Sequence, residues 1–74
     1  MTNKLPFRIG MQYENWEFDL ELVDTKKSYE VYNYTKGDIK VFNEELIEYI
    51  HLYFELDILL KIKIKTQQNI FTLL

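Results

Sequence analysis

The sequence predicts an α+β domain: a small, mostly antiparallel sheet of four to five strands with one helix packed on one face. Three stretches carry this expectation. "WEFDLELV", residues 16–23, alternates apolar and acidic side chains with the period of a half-buried strand. "NEELIEYIHLYF", residues 43–54, opens with an asparagine and two glutamates, as helices often do. "LLKIKIKTQQNIFTLL", residues 59–74, returns to alternation and is divided by a polar turn. At 74 residues the chain is expected to form one domain, 1–74.

The elements follow in order. Phe7–Tyr13 reads as a short strand after Pro6, weakened by Gly10. In the next strand Trp16, Phe18, Leu20 and Leu22 share one face, and Glu17, Asp19 and Glu21 the other. Asp24–Lys27 is a polar turn, and the tyrosine-rich Ser28–Thr35 is the returning strand. A four-residue turn pairs Leu22 with Tyr29, Leu20 with Val31 and Phe18 with Asn33 inside. Glu21 then meets Glu30 outside, Asp19 meets Tyr32 and Glu17 meets Tyr34. Lys36–Asp38 is a turn, with Gly37 free to take positive φ. Ile39–Phe42 adds a short extended piece. Asn43 reads as an N-cap, with Phe42 and Ile47 at the positions of a hydrophobic staple. The helix is expected from Glu44 to about Phe54. A strand from Ile58 to Lys65 turns Leu60, Ile62 and Ile64 inward, and Ile70–Leu74 pairs back on it after the 66–69 turn.

Composition narrows the function classes. There is no cysteine, which excludes a disulfide framework or thiolate metal site and fits a reducing compartment. One tryptophan, six tyrosines, five phenylalanines and 47% hydrophobic residues indicate a folded chain. The N-terminal stretch lacks the apolar core of a secretory signal. The apolar region 46–60 is broken by Glu48, His51, Glu55 and Asp57, too often for a membrane span. A soluble, cytoplasmic protein is expected, with no membrane partner. The 12 acidic residues against 9 basic ones disfavour direct contact with nucleic acid.

Lys61, Lys63 and Lys65 form a ladder in this acidic chain. A right-handed strand–helix–strand crossover would set it antiparallel beside residues 16–23. Glu17, Asp19 and Glu21 would then neutralise it, at roughly 0.2–1 kcal/mol per cross-strand pair. The alternative is a basic patch for phosphate or an acidic partner. With no arginine and no interleaved aromatics, the ladder is a thin nucleic-acid signal.

On the expected helix Glu44, Glu48, His51 and Glu55 fall on one stripe. Leu46, Ile47, Ile50, Tyr53 and Phe54 face the sheet. Tyr49, Leu52 and Leu56 lie between, on the Glu45 flank. That apolar arc is wider than one small sheet needs. Either the termini clasp it, or Tyr49, Leu52 and Leu56 belong to a dimer or partner interface. The expected partner-binding set is therefore Glu44, Glu45, Glu48, Tyr49, Leu52, Glu55 and Leu56, with Glu30, Tyr32 and Tyr34 on the hairpin.

Chemistry finds little footing. Glu48-x-x-His51 has the spacing of dimetal helical bundles, but such a site needs a second copy and further glutamates. His51 with Glu55 lacks a serine or cysteine nucleophile; the only serine is Ser28. There is no glycine-rich phosphate loop. Carboxylates at Glu17, Asp19 and Glu21 stand about 7 Å apart on a strand, too far to share one ion. The reading is a non-enzyme with no cofactor and no metal.

The order hairpin, "YNYTKG", helix, "DILLKIKI" resembles the small uracil-DNA glycosylase inhibitors of Bacillus phages. Tyr32, Tyr34, Lys36 and Gly37 match at the hairpin exit, and Asp57, Leu60, Lys61, Ile62 and Ile64 in the last shared strand. The resemblance spans about Trp16 to Lys65. It implies a homodimer with an acidic, DNA-like surface and an apolar recess that captures the enzyme's DNA-inserting loop. The helix here is longer, and the flanking strands depart from that pattern. The function expected is a small acidic protein inhibitor of a nucleic-acid enzyme, a uracil-DNA glycosylase or a host defence nuclease, encoded by a phage or mobile element. The alternatives are a structural or assembly module that self-associates, and a small regulatory protein that binds a ligand or metal.

Overall fold

The computed structural model describes residues 5–74, and among them there is no α-helix. Two 3-10 turns, Tyr13–Asn15 and Glu17–Asp19, precede six strands. These are β1 Leu20–Thr25, β2 Glu30–Tyr34, β3 Val41–Phe42, β4 Glu45–Glu55, β5 Ile58–Thr66 and β6 Ile70–Leu73. Every pairing is antiparallel, in the order β1-β2-β4-β5-β6, with β3 paired to β4. The chain is thus an all-β meander, and the α+β expectation is corrected.

The expected helix is β4, the longest strand. Its sequence is apolar at so many positions that it satisfies both the helical and the strand period. Ile47, Tyr49, Ile50, Tyr53 and Phe54 are β-branched or aromatic, types that lose side-chain freedom in a helix and suit a pleated surface. Burial settles the period: Ile50, Leu52 and Phe54 are buried, while Tyr49, His51 and Tyr53 between them are half-buried on the opposite face. β4 pairs with β2 on one side and β5 on the other, which no local propensity reports.

The expected N-cap has another use. Asn43 and Glu44 have φ of 52° and 65°, and Leu56 and Asp57 have 51° and 67°. Each pair is a two-residue loop joining antiparallel strands, and positive φ at both central residues is the mark of a type I′ turn. Asparagine favours that turn as well as the N-cap.

The first hairpin has a different register from the one expected. Thr25 faces Glu30, the loop closes with Lys26 N–H donating to Tyr29 O at 2.8 Å, and Val23 is bulged. Leu22 therefore faces Tyr32, Leu20 faces Tyr34 and Glu21 faces Asn33. Phe18, placed inward by alternation, lies in the second 3-10 turn and is 92% exposed. A bulge near the β4–β5 turn likewise puts Leu59 inside at 0% exposure and leaves Leu60 at 43%. The remaining C-terminal expectations hold: Ile62 and Ile64 point inward, and β6 pairs back on β5.

The N-terminal segment covers the core face. Gly10 N–H donates to Leu59 O at 2.8 Å, Leu59 N–H to Met11 O at 2.9 Å and Tyr13 N–H to Asp57 O at 2.8 Å. Where a strand was expected at Phe7–Tyr13 there is one isolated bridge, Gln12 with Ile58. Gly10, at φ 96°, makes the turn that an L side chain would strain. From this edge the chain crosses the sheet to β1. Phe7 packs edge-on to Tyr34 at 4.8 Å and lies 5.3 Å from Trp16; Tyr13 lies 4.8 Å from Tyr32. With Leu52, Phe54, Ile62 and Ile64 beneath them, these rings form the hydrophobic core. Among the described residues no helix is long and apolar enough to cross a membrane.

Candidate functional site

The expected partner-binding residues do not come together. On a strand Glu48 and Glu55 are separated by roughly 23 Å, against roughly 10 Å on a helix. Glu44 is in the β3–β4 turn. Glu45 is a structural acceptor: buried Thr66 donates its hydroxyl to it at 2.5 Å, and Asn69 Nδ2 binds both its oxygens. Leu52, expected in a dimer or partner interface, is 0% exposed in the core. Tyr32 and Tyr34 lie under the N-terminal aromatics, and Tyr34 donates its hydroxyl to Asp38 at 2.7 Å. Burial, and then the Glu30 charge, push the Tyr32 hydroxyl up to about 12; burial also raises that of Tyr34. Glu30, Glu55 and Leu56 gather instead at the β4–β5 hairpin end. Leu56 there is 92% exposed.

What the fold does assemble is the opposite face of the sheet. β5 sends Lys61, Lys63 and Lys65 to that side, away from buried Ile62 and Ile64. Their partners on β4 are Tyr53, His51 and Tyr49. β5 is separated from β1 by β2 and β4, so the acidic strand expected to neutralise the ladder is not its neighbour. The Glu17 side chain lies outside the described residues. Among the described residues one carboxylate reaches the ladder: Glu48, at a bulge in β4, lies 3.5 Å from Lys65. Lys65 also donates to the Thr66 carbonyl at 3.0 Å. Lys61 sits 4.3 Å above the centre of the Tyr53 ring, a cation–π contact. Among the described residues Lys61 and Lys63 make no ion pair.

A polar row crosses the middle of this face, with Glu21, Asn33, His51, Lys63 and Thr72 facing one another on five successive strands. His51 stacks on Tyr49 at 4.1 Å. Partial burial and the Lys63 charge hold its imidazole below the usual value, favouring the neutral ring. Asn33 has a buried Oδ1 without a hydrogen-bond partner. At one end Tyr29, Tyr53, Leu60, Lys61 and Leu74 enclose a shallow groove of about 270 Å³. Neighbouring ammonium groups two residues apart on a strand are roughly 6.7 Å apart. In water each such pair is destabilised by about 0.6 kcal/mol. An anion lying along the strand would relieve this.

The aromatic half of this surface is not interleaved with the lysines on their own strand; it comes from the neighbouring strand β4. The signal was present: Tyr49-x-His51-x-Tyr53 has the same two-residue period as Lys61-x-Lys63-x-Lys65. Among the described residues no group of three or more histidine, cysteine or acidic side chains is arranged to hold a metal. No protein-family model, curated protein or solved structure matches the chain. The strand–helix–strand layout behind the resemblance to glycosylase inhibitors is not the observed one, because residues 45–55 are a strand.

Proposed function

We propose that this protein is a small non-enzymatic binding module that engages an anionic partner through its open sheet face. One observation carries the reading. Three aligned lysines, with one carboxylate paired to them among the described residues, stand beside a column of two tyrosines and a histidine. Cationic side chains with apolar stems and aromatic rings suit a surface that is solvated when free and covered when bound. A solvated face dressed in lysine and tyrosine is the competing account, and it predicts no binding. The test is titration with polyphosphate, polyglutamate and short oligonucleotides at low and high salt. Binding that weakens with salt, and that is weaker and less salt-dependent in Lys63→Gln, supports the reading. Indifference to all three anions removes it.

A second reading retains the inhibitor of a nucleic-acid enzyme in a new place. Glu55, Leu56 and Asp57 form the tip of the β4–β5 hairpin, with the leucine almost fully exposed. An exposed apolar side chain between carboxylates can enter a recess beside phosphate-binding residues of an enzyme. Uracil excision assayed with a stoichiometric excess of the protein, and with Leu56→Ala, tests that reading.

A further inference from the structure

We propose that the open face binds single-stranded nucleic acid, with backbone phosphates along Lys61, Lys63 and Lys65 and bases over the Tyr53–His51–Tyr49 column. This rests on the anionic-partner reading and names the partner's chemistry.

The two columns run side by side. Each lysine has a ring directly opposite it on the adjacent strand: Lys61 with Tyr53, Lys63 with His51, Lys65 with Tyr49. Directly paired side chains on neighbouring strands are roughly 5 Å apart. A row of cations beside a row of rings matches a polymer that carries its charges on one side and flat apolar groups on the other. An acidic peptide supplies the charges but not the flat groups. Single-strand binders combine these elements, a cationic track for the backbone and aromatic side chains for the bases. One row of lysines suits one backbone. Recognition of duplex DNA typically sends a helix or a two-stranded ribbon into a groove, and this broad face does neither.

The ring contacts point the same way. Tyr49 and His51 are stacked on one another, which leaves the outer face of that stack for a base. Tyr53 and Tyr29, 5.8 Å apart, border the groove that also contains Lys61. A flat ring entering there would take the place of the Lys61 ammonium over the Tyr53 ring and leave that cation to a phosphate. Thr72, in the row between the tyrosines, adds a hydroxyl beside Lys63 to a face that also carries the Glu21 and Glu48 carboxylates.

The experiment is fluorescence anisotropy of labelled oligothymidylate and oligouridylate across a salt series, with polyphosphate and polyglutamate as competitors. Each lysine that neutralises a phosphate contributes about 0.7 to the slope of log affinity against log salt. Lys63→Gln should lower the slope by that amount, and the triple Lys→Gln variant by about three times as much. Tyr53→Ala should weaken oligonucleotide binding roughly tenfold, with Tyr53→Phe close to wild type. Polyphosphate should compete weakly and ignore Tyr53→Ala. If the triple variant fails to fold by circular dichroism, Lys63→Gln, which breaks no ion pair among the described residues, carries the test alone. Equal affinity for polyphosphate and oligonucleotide, with no effect of Tyr53→Ala, overturns the nucleic-acid inference and leaves the anionic-partner reading. Preference for polyglutamate overturns it in favour of an acidic protein segment. Failure to bind any of the polyanions overturns both.

Discussion

Replacing Leu52 with alanine tests the strand assignment of β4 at its centre. Leu52 is 0% exposed and is flanked by Tyr32 on β2 and Ile62 on β5. Both flanking strands are held by main-chain pairing, so the site cannot collapse freely around the missing atoms. Leucine-to-alanine changes at such positions cost about 2–5 kcal/mol, the upper part of the range applying where the cavity persists. A chain of this length has a total stability of roughly 4–11 kcal/mol. The substitution should therefore remove a third or more of it. Leu46→Ala is the control. Leu46 is 55% exposed, and its loss should cost less than about 1 kcal/mol. A helix over the same residues would reverse this order, because Leu46 would face the sheet and Leu52 would sit on its flank. Urea unfolding reports both values through Trp16 emission, since that ring packs against Phe7 in the core. A Leu46→Ala penalty equal to or larger than that of Leu52→Ala would refute the reasoning.

Thr66→Val should cost about 1–3 kcal/mol in the same assay. It strips a donor from Glu45 and an acceptor from the backbone N–H groups of Gln68 and Asn69. Leu56→Asn combined with Asp57→Gly should stabilise the protein by about 1 kcal/mol, because both residues sit at positive φ in a turn that favours that pair. His51 carries a pKa lowered from 6.5 in the fold, so between the folded value and 6.5 the unfolded chain binds more protons. Stability should fall as pH drops below 6.5 and level off beneath the folded pKa. His51→Gln should flatten that part of the profile, and urea midpoints measured across this range will show whether it does.

The fold was legible where local sequence and tertiary pairing agree. Alternation in "ILLKIKIK" gives β5, and the polar stretch after it gives the last hairpin. It was illegible where one segment satisfies two periods. Residues 45–55 contain apolar side chains at helical and at strand spacing, and Asn43 serves either an N-cap or a type I′ turn. What decides between them is pairing with β2 and β5, which no window of the sequence contains. The bulge near Leu60 shifts alternation by one residue, so Leu60 is expected too deep and Leu59 too shallow, whereas Leu22 sits in register opposite Tyr32 and is half exposed on the edge strand β1. The candidate site shows the same limit. The lysines stood out in the sequence, but their neighbours followed from sheet order. Once a helix was placed at residues 44–54, the acidic strand was the only neighbour left for them. Recognising β4 brings Tyr49, His51 and Tyr53 to that place and carries Glu44 and Glu48 away from Glu55.

Anion binding at the lysine–tyrosine face leaves a spatial signature on its side chains. Side-chain nuclear magnetic resonance during titration with oligothymidylate and with polyphosphate tests it most directly. With either anion bound there, the His51 imidazole, the Tyr49 and Tyr53 rings and the methylenes next to the Lys61, Lys63 and Lys65 ammonium groups should shift together. The methyl groups of Leu52, Ile62 and Ile64 on the covered face should stay in place. Shifts confined to Leu56 and the hairpin tip, or no shifts with either anion at low salt, would contradict it.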